Sequence, residues 1–226
     1  VQISQRPIAL CIATLAAAAA ATAAHAADVH ISVSDSAGQP VANAVVMIDV
    51  SASSAAPPAL AATGSGKDTV VDQRRLQFVP FLTVVAREGS VRFLNSDDFD
   101  HHVHGSSPRQ NFQFRIDAAD SKPKSKSGKP AKPATVRLTH AGPIALSCHL
   151  HGSMRGHLYV SDSPYFAKTD GNGHATITGV PEGAARVRSW HPYQLVEQAS
   201  VPLAVQGQLT STHLRLNFMP RASRAD

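Results

Sequence analysis

The chain has 226 residues, a formal charge of +5, twelve histidines and two cysteines, and is 43% hydrophobic but only 5% aromatic. That length holds one large or two small domains with a buried core, and the glycine, proline and charged-residue contents exclude a disordered or collagen-like chain. Two cysteines permit at most one disulfide and exclude a four-cysteine zinc site or a cysteine-bound iron–sulfur cluster within the chain.

Residues 1–26 carry one basic side chain, Arg6, then an alanine-dominated apolar run from Ile8 to Ala24, then Ala24-His25-Ala26. A basic end, an apolar stretch and a small-x-small site predict a secretory signal peptide rather than a membrane anchor, because alanine is only weakly hydrophobic and the cleavage site follows at once. Cleavage removes Arg6 and Cys11. The remainder stays mildly basic, contains no other stretch able to span a membrane, and keeps one cysteine, Cys148. That thiol cannot form an internal disulfide even in a compartment that permits one, so it is buried and inert, reactive, or a metal ligand.

From Asp28 onward the pattern predicts β structure. Val29, Ile31 and Val33 alternate with polar residues, Gly38-Gln39-Pro40 turns the chain, and Val41–Val50 is an apolar run of strand length. Residues 51–66 have linker composition. Strands are expected at Thr69–Val71, Gln77–Val85 and Val91–Leu94, with Glu88-Gly89 as a turn. Residues 121–133 hold five lysines and no large apolar residue, and read as a solvated loop, with a docking arm for an acidic partner as the alternative. Nucleic acid is not an expected partner, since no aromatic residues lie among the lysines. Further strands are expected at Ala134–Leu138, Ile144–Leu146, Leu158–Val160, Ala175–Ile177, Ala185–Trp190, Val201–Val205 and His213–Phe218, with turns at 169–173 and 180–183. No segment has a long amphipathic helical period, so the fold class is all-β.

Chemistry concentrates in Cys148-His149-Leu150-His151-Gly152-Ser153-Met154. A thiolate, an imidazole and a thioether at C-x2-H-x2-M spacing can converge from one loop between two strands. Copper alternating between Cu(I) and Cu(II) takes two imidazoles and a thiolate with a weak axial thioether, so a second histidine must come from elsewhere. His101, in the segment Asn95 to Val103 after the strand Val91–Leu94, would supply it from a neighbouring strand end. Zinc fits less well, because methionine is a poor zinc ligand and a zinc enzyme would need a charged base that this loop lacks.

Phe78-Val79-Pro80, Gly89, Val91, Phe93, Asn95, Asp97, His101, Val103 and then C-x2-H-x2-M followed by Arg155-Gly156 resemble a cupredoxin of the plastocyanin and amicyanin type, with the short amicyanin loop. With Asp162 to Asp170 downstream, the wider pattern is similar to bacterial proteins labelled methylamine utilisation proteins. The resemblance implies a Greek-key β-sandwich binding one type 1 copper through His101, Cys148, His151 and Met154. The family's asparagine after its first ligand histidine is replaced by His102, which leaves the choice between His101 and His102 open. His104, His149 and His157 are read as exposed polar residues, with a second weak copper site as the alternative.

The flanks show a second resemblance. Val-x-Asp-x-x-Gly-x-Pro-Val-x-x-Ala-Val-Val, Thr-Asp-x-x-Gly-x-Ala and Val-Pro-x-Gly are similar to the carboxypeptidase regulatory-like, or transthyretin-like, β-sandwich. The expected organisation is a signal peptide at 1–26, a transthyretin-like sandwich from 28–50 plus 168–218, a linker at 51–66, and an inserted cupredoxin domain at 67–162. The expected function is one-electron transfer by an exported, periplasmic blue copper carrier. It is not an enzyme on this reading, and its partner is a redox protein such as a periplasmic dehydrogenase or cytochrome. A copper buffer, a copper-dependent reductase and a non-redox structural sandwich are the alternatives.

Overall fold

The computed structural model describes residues 26–51, 69–118 and 132–219. The predicted signal peptide up to His25, the linker beyond Ser51 and the lysine-rich segment up to Ala131 lie outside the described residues. Among the described residues there are sixteen strands and no helix. In chain order they are β1 (Ala26–Ser34), β2 (Val45–Val50), β3 (Thr69–Arg74), β4 (Gln77–Val79), β5 (Leu82–Ala86), β6 (Ser90–Asn95), β7 (His101–Ser106) and β8 (Phe112–Ile116). They continue with β9 (Ala134–Arg137), β10 (Gly142–Cys148), β11 (Arg155–Ser161), β12 (Tyr165–Lys168), β13 (His174–Pro181), β14 (Gly183–Trp190), β15 (Val201–Val205) and β16 (Leu209–Arg215).

The strands form four sheets. Two of them, β13-β1-β16 and β12-β2-β14-β15, use only the two ends of the described chain, so β1 and β2 find their partners among strands more than a hundred residues later. Val29, Ile31, Val46, Ile48, Ile177 and Val187 meet in the core between them. The central segment builds β4-β3-β6-β9 and β5-β11-β10-β7-β8, which share a separate core around Phe93, Leu146, Leu158 and Ile144. The architecture is all-β, with paired sheets packed face to face.

Two strands are buried on both faces over part of their length, which explains the consecutive apolar residues Val45 to Ile48 and Leu158 to Val160. On β2, Val46 and Ile48 enter the core of the flanking sheets, whereas Val45 and Met47 point the other way against Leu82, Tyr159 and Phe166. On β11, Leu158 and Val160 enter the central core while Tyr159 joins the contact with Met47. The period of two thus gives each strand one row for its own sandwich and one for the junction between the two.

Several strand boundaries depart from the sequence expectation. The run Val41–Val50 becomes a strand only from Val45, because Thr169 holds the preceding corner: its hydroxyl accepts from the Ala44 N–H at 2.9 Å and donates to the Val41 carbonyl at 2.7 Å. The run Gln77–Val85 is two strands in different sheets, separated at Pro80, which has no N–H to offer a ladder. The last strand starts at Leu209 and stops at Arg215, short of Phe218. Strands β7, β8 and β12 were not expected; β7 is rich in histidine and β8 alternates large aromatics with polar residues.

Candidate metal centre

The site lies at one end of β7 and β10. These strands are antiparallel, with Cys148 opposite Val103, and the His149 N–H donates to the His102 carbonyl at 3.0 Å to prolong the ladder. Alternation then turns the adjacent histidines to opposite faces. His101 shares the inward face with Val103 and is fully buried, whereas His102 points to the opposite face beside His149. After Cys148 the chain leaves the sheet, and the Met154 N–H donates to the His151 carbonyl at 3.0 Å, closing the turn that returns it to β11.

This folding brings the Cys148 sulfur to 3.7 Å from His101 Nδ1 and 3.6 Å from His151 Nδ1, although His101 and Cys148 are 47 residues apart. One donor atom from each of the three residues falls within 4.8 Å of the others. Met154 is 1% exposed and packs in the same core cluster as Cys148. The chain therefore gathers His101, Cys148 and His151 at one point, with Met154 buried in the same core cluster as Cys148.

These separations suit a shared metal. Metal–sulfur and metal–nitrogen bonds of about 2.3 and 2.0 Å subtending roughly 110–120° place sulfur and nitrogen about 3.5–3.7 Å apart. A single thiol proton could serve only one of two equivalent nitrogen neighbours. The donors are one soft thiolate and two borderline imidazoles, ligands that copper takes in electron-transfer sites.

Asp97 prepares His101 for this role. Its Oδ2 accepts from His101 Nε2 at 3.0 Å, which places the ring proton on Nε2 and leaves the Nδ1 lone pair facing the sulfur. The carboxylate also accepts from the backbone N–H groups of Arg75 and Leu76, and the Asp97 N–H donates to Asn95 Oδ1 at 2.9 Å. Burial holds the His101 imidazole below the ordinary histidine range, partly offset by the hydrogen bond and charge of Asp97, so the ring is neutral as a ligand must be. Phe99 packs against both imidazoles, its ring centroid 5.2 Å from that of His101 and 5.0 Å from that of His151.

The sequence pattern gives Asp97 and Phe99 no role at the site. The signal for Asp97 was its place four residues before the histidine; nothing in the sequence singled out Phe99. His157, expected to be an exposed polar residue, is instead half-buried between Phe81 and Trp190, with centroids 5.1 and 6.2 Å away, and desolvation pushes its pKa down to about 4.

No family model matches the sequence, and no match was found among curated proteins. Among solved structures, the chain is similar to an oxidised amicyanin variant at 19% identity, over 42% of this chain and 82% of that one, with a TM-score of 0.34. A reduced amicyanin variant matches at 19% identity over 51% of this chain and 99% of that one, again with a TM-score of 0.34. The purple cupredoxin from Nitrosopumilus maritimus matches at 13% identity over 42% of this chain and all of that one, with the same TM-score. With overlaps this low, the chemistry of the site rests on its own donor atoms.

Proposed function

We propose that the chain is an exported type 1 copper protein of the cupredoxin kind that carries single electrons between redox partners, and that it is a carrier rather than a catalyst. The observation that supports this most directly is the convergence of His101 Nδ1, Cys148 Sγ and His151 Nδ1 on one point. Copper bound there would supply one-electron exchange between Cu(II) and Cu(I).

The chain's own part is to hold the donors still and keep water away. His101 is anchored through Nε2 by Asp97, Cys148 ends a strand paired on both sides, and Met154 is fixed by its backbone bond to His151. Rigid donors need move little when the charge changes, which suits electron transfer. His151 is half-buried, and Leu150 and Phe99 are exposed near it, at 57% and 36%. This edge is the proposed meeting place for a redox protein such as a periplasmic dehydrogenase or cytochrome.

Residues 1–26 are proposed to direct export to the periplasm. Among the described residues no helix is long and apolar enough to cross a membrane. The flanking sheets are proposed to be a carboxypeptidase regulatory-like, transthyretin-like sandwich into which the copper domain is inserted, in the manner of the methylamine utilisation proteins that the sequence resembles.

Addition of Cu(II) to the purified protein tests the reading. An intense thiolate-to-copper absorption that saturates at one equivalent and disappears in Cys148→Ser is expected. A colourless protein would overturn it, and turnover of nitrite or oxygen would favour a reductase.

A further inference from the structure

We propose that His102, His104 and His149 form a second metal site, made of imidazoles alone, on the outer face of the strands that carry the first. The pleat that turns His101 and Val103 inward turns His102 and His104 outward, and the ladder bond from His149 N–H to the His102 carbonyl sets the third ring beside them. The His149 centroid lies 4.9 Å from those of both His102 and His104.

Each of these two contacts has the spacing that a pair of imidazoles sharing a cation adopts. Among the described residues only His101, Cys148 and His151 already hold three donor atoms within 4.8 Å of one another, so the outer, partly exposed rings must rotate to bring three nitrogens onto one ion. A metal–nitrogen bond of about 2.0 Å and a roughly tetrahedral angle hold two imidazole centroids about 5 Å apart. His101 and His151 in the first site are also separated by 4.9 Å. Among the described residues, none of the three outer rings is held by a hydrogen bond, in contrast to His213, which bonds Ser32 and Ser34, and His191, which bonds the Ala42 carbonyl. Their ring nitrogens are therefore available.

The nearest opposing cation in the sheet is Arg115, across from His102 on β8, and it is already engaged by Asp100, with Asp117 at 3.6 Å. A site of three imidazoles suits Cu(II) or Zn(II), with copper the tighter by the usual order, and leaves one position for water or a small anion. Single peptide links join the two sites, from Cys148 to His149 and from His101 to His102. The proposal does not rest on the blue-copper reading, because its ligands lie on the opposite face of the sheet.

The test is titration of the purified protein with Cu(II) alone, followed by visible absorption and electron paramagnetic resonance, and separately with Zn(II) by calorimetry. A Cu(II) equivalent without thiolate absorption, showing coupling to several nitrogens, is expected in the native protein and equally in Cys148→Ser. A missing blue band would therefore count against the first site without touching the second. His104→Gln and His149→Gln should each weaken this equivalent at least tenfold while leaving any thiolate absorption unchanged. His213→Gln, on the remote sheet, should have no effect. All three ligands are at least partly exposed, and retained β-sheet circular dichroism verifies each fold; if His102→Gln loses it, the other two variants carry the test. Absence of a thiolate-free equivalent, its survival in the triple variant, or its loss in His213→Gln would overturn the proposal.

Discussion

His101 and Asp97 form an imidazole–carboxylate pair with Nε2 and Oδ2 3.0 Å apart, and this contact directs the opposite nitrogen of the ring at the Cys148 sulfur. The pair is almost wholly buried, so the ring cannot exchange this partner for water. Replacement of Asp97 by asparagine keeps the shape but removes the charge and one of the acceptors shared with Arg75 and Leu76. The copper affinity of Asp97→Asn should fall by about 10–100-fold, measured by competition with a chelator. An unchanged affinity would mean that burial alone orients His101.

Met154 offers a weak thioether, and Met154→Leu replaces it by a side chain of similar volume. The thiolate absorption should persist, because Cys148 and the two imidazoles remain, while the reduction potential should rise on loss of a weak thioether donor. Voltammetry reads the shift. The stability cost should stay below about 1.5 kcal/mol, as for other volume-conserving core exchanges. Loss of all copper binding would show that Met154 has a larger part.

Gly156, two residues beyond Met154, is buried against Phe78. A Cβ at this position would lie 2.8 Å from the Phe78 Cβ and 3.1 Å from its ring, and Phe78 is itself 2% exposed. Gly156→Ala should therefore destabilise the protein by about 1–3 kcal/mol through overpacking, seen as a lower thermal midpoint. An unchanged midpoint would show that β4 yields more readily than its burial suggests.

His157 and His191 make the protein sensitive to mild acid. Desolvation lowers each pKa to about 4 from the ordinary 6.5, so between these values the unfolded chain binds more protons than the folded one. Stability consequently rises with pH through this window; it is complete above about pH 6.5 and is lost as the pH falls toward 4. His157 packs beside Trp190, the single tryptophan, so tryptophan emission during thermal unfolding at successive pH values should record the loss. His157→Phe should flatten the dependence, leaving the share of His191; an unaltered slope would assign the effect elsewhere.

Much of the fold was legible where one face of a strand is buried. The alternation of Val29, Ile31 and Val33 marked β1, and the all-β class followed from many short runs with turn residues between them. Legibility ended where tertiary contacts override the local pattern. Val41–Val50 reads as one apolar strand, yet its first residues are bent by Thr169, more than 120 residues away. β7 could not be found by hydrophobicity, because half of its residues are histidine and its inward histidine takes a place ordinarily held by an aliphatic side chain.

The sequence by itself determined the chemistry available. A single cysteine beyond the apolar run at residues 8–24, spaced C-x2-H-x2-M, already confines that loop to soft or borderline donors. Tertiary structure decided which histidine meets the thiol. Adjacent residues on a strand face opposite ways, so only the pairing of β7 with β10 could send His101 to the Cys148 sulfur and His102 to the outer face beside His149. The same pairing placed Asp97 behind His101, because a ring tautomer is set by a contact in space, which residue types and their spacing alone do not specify.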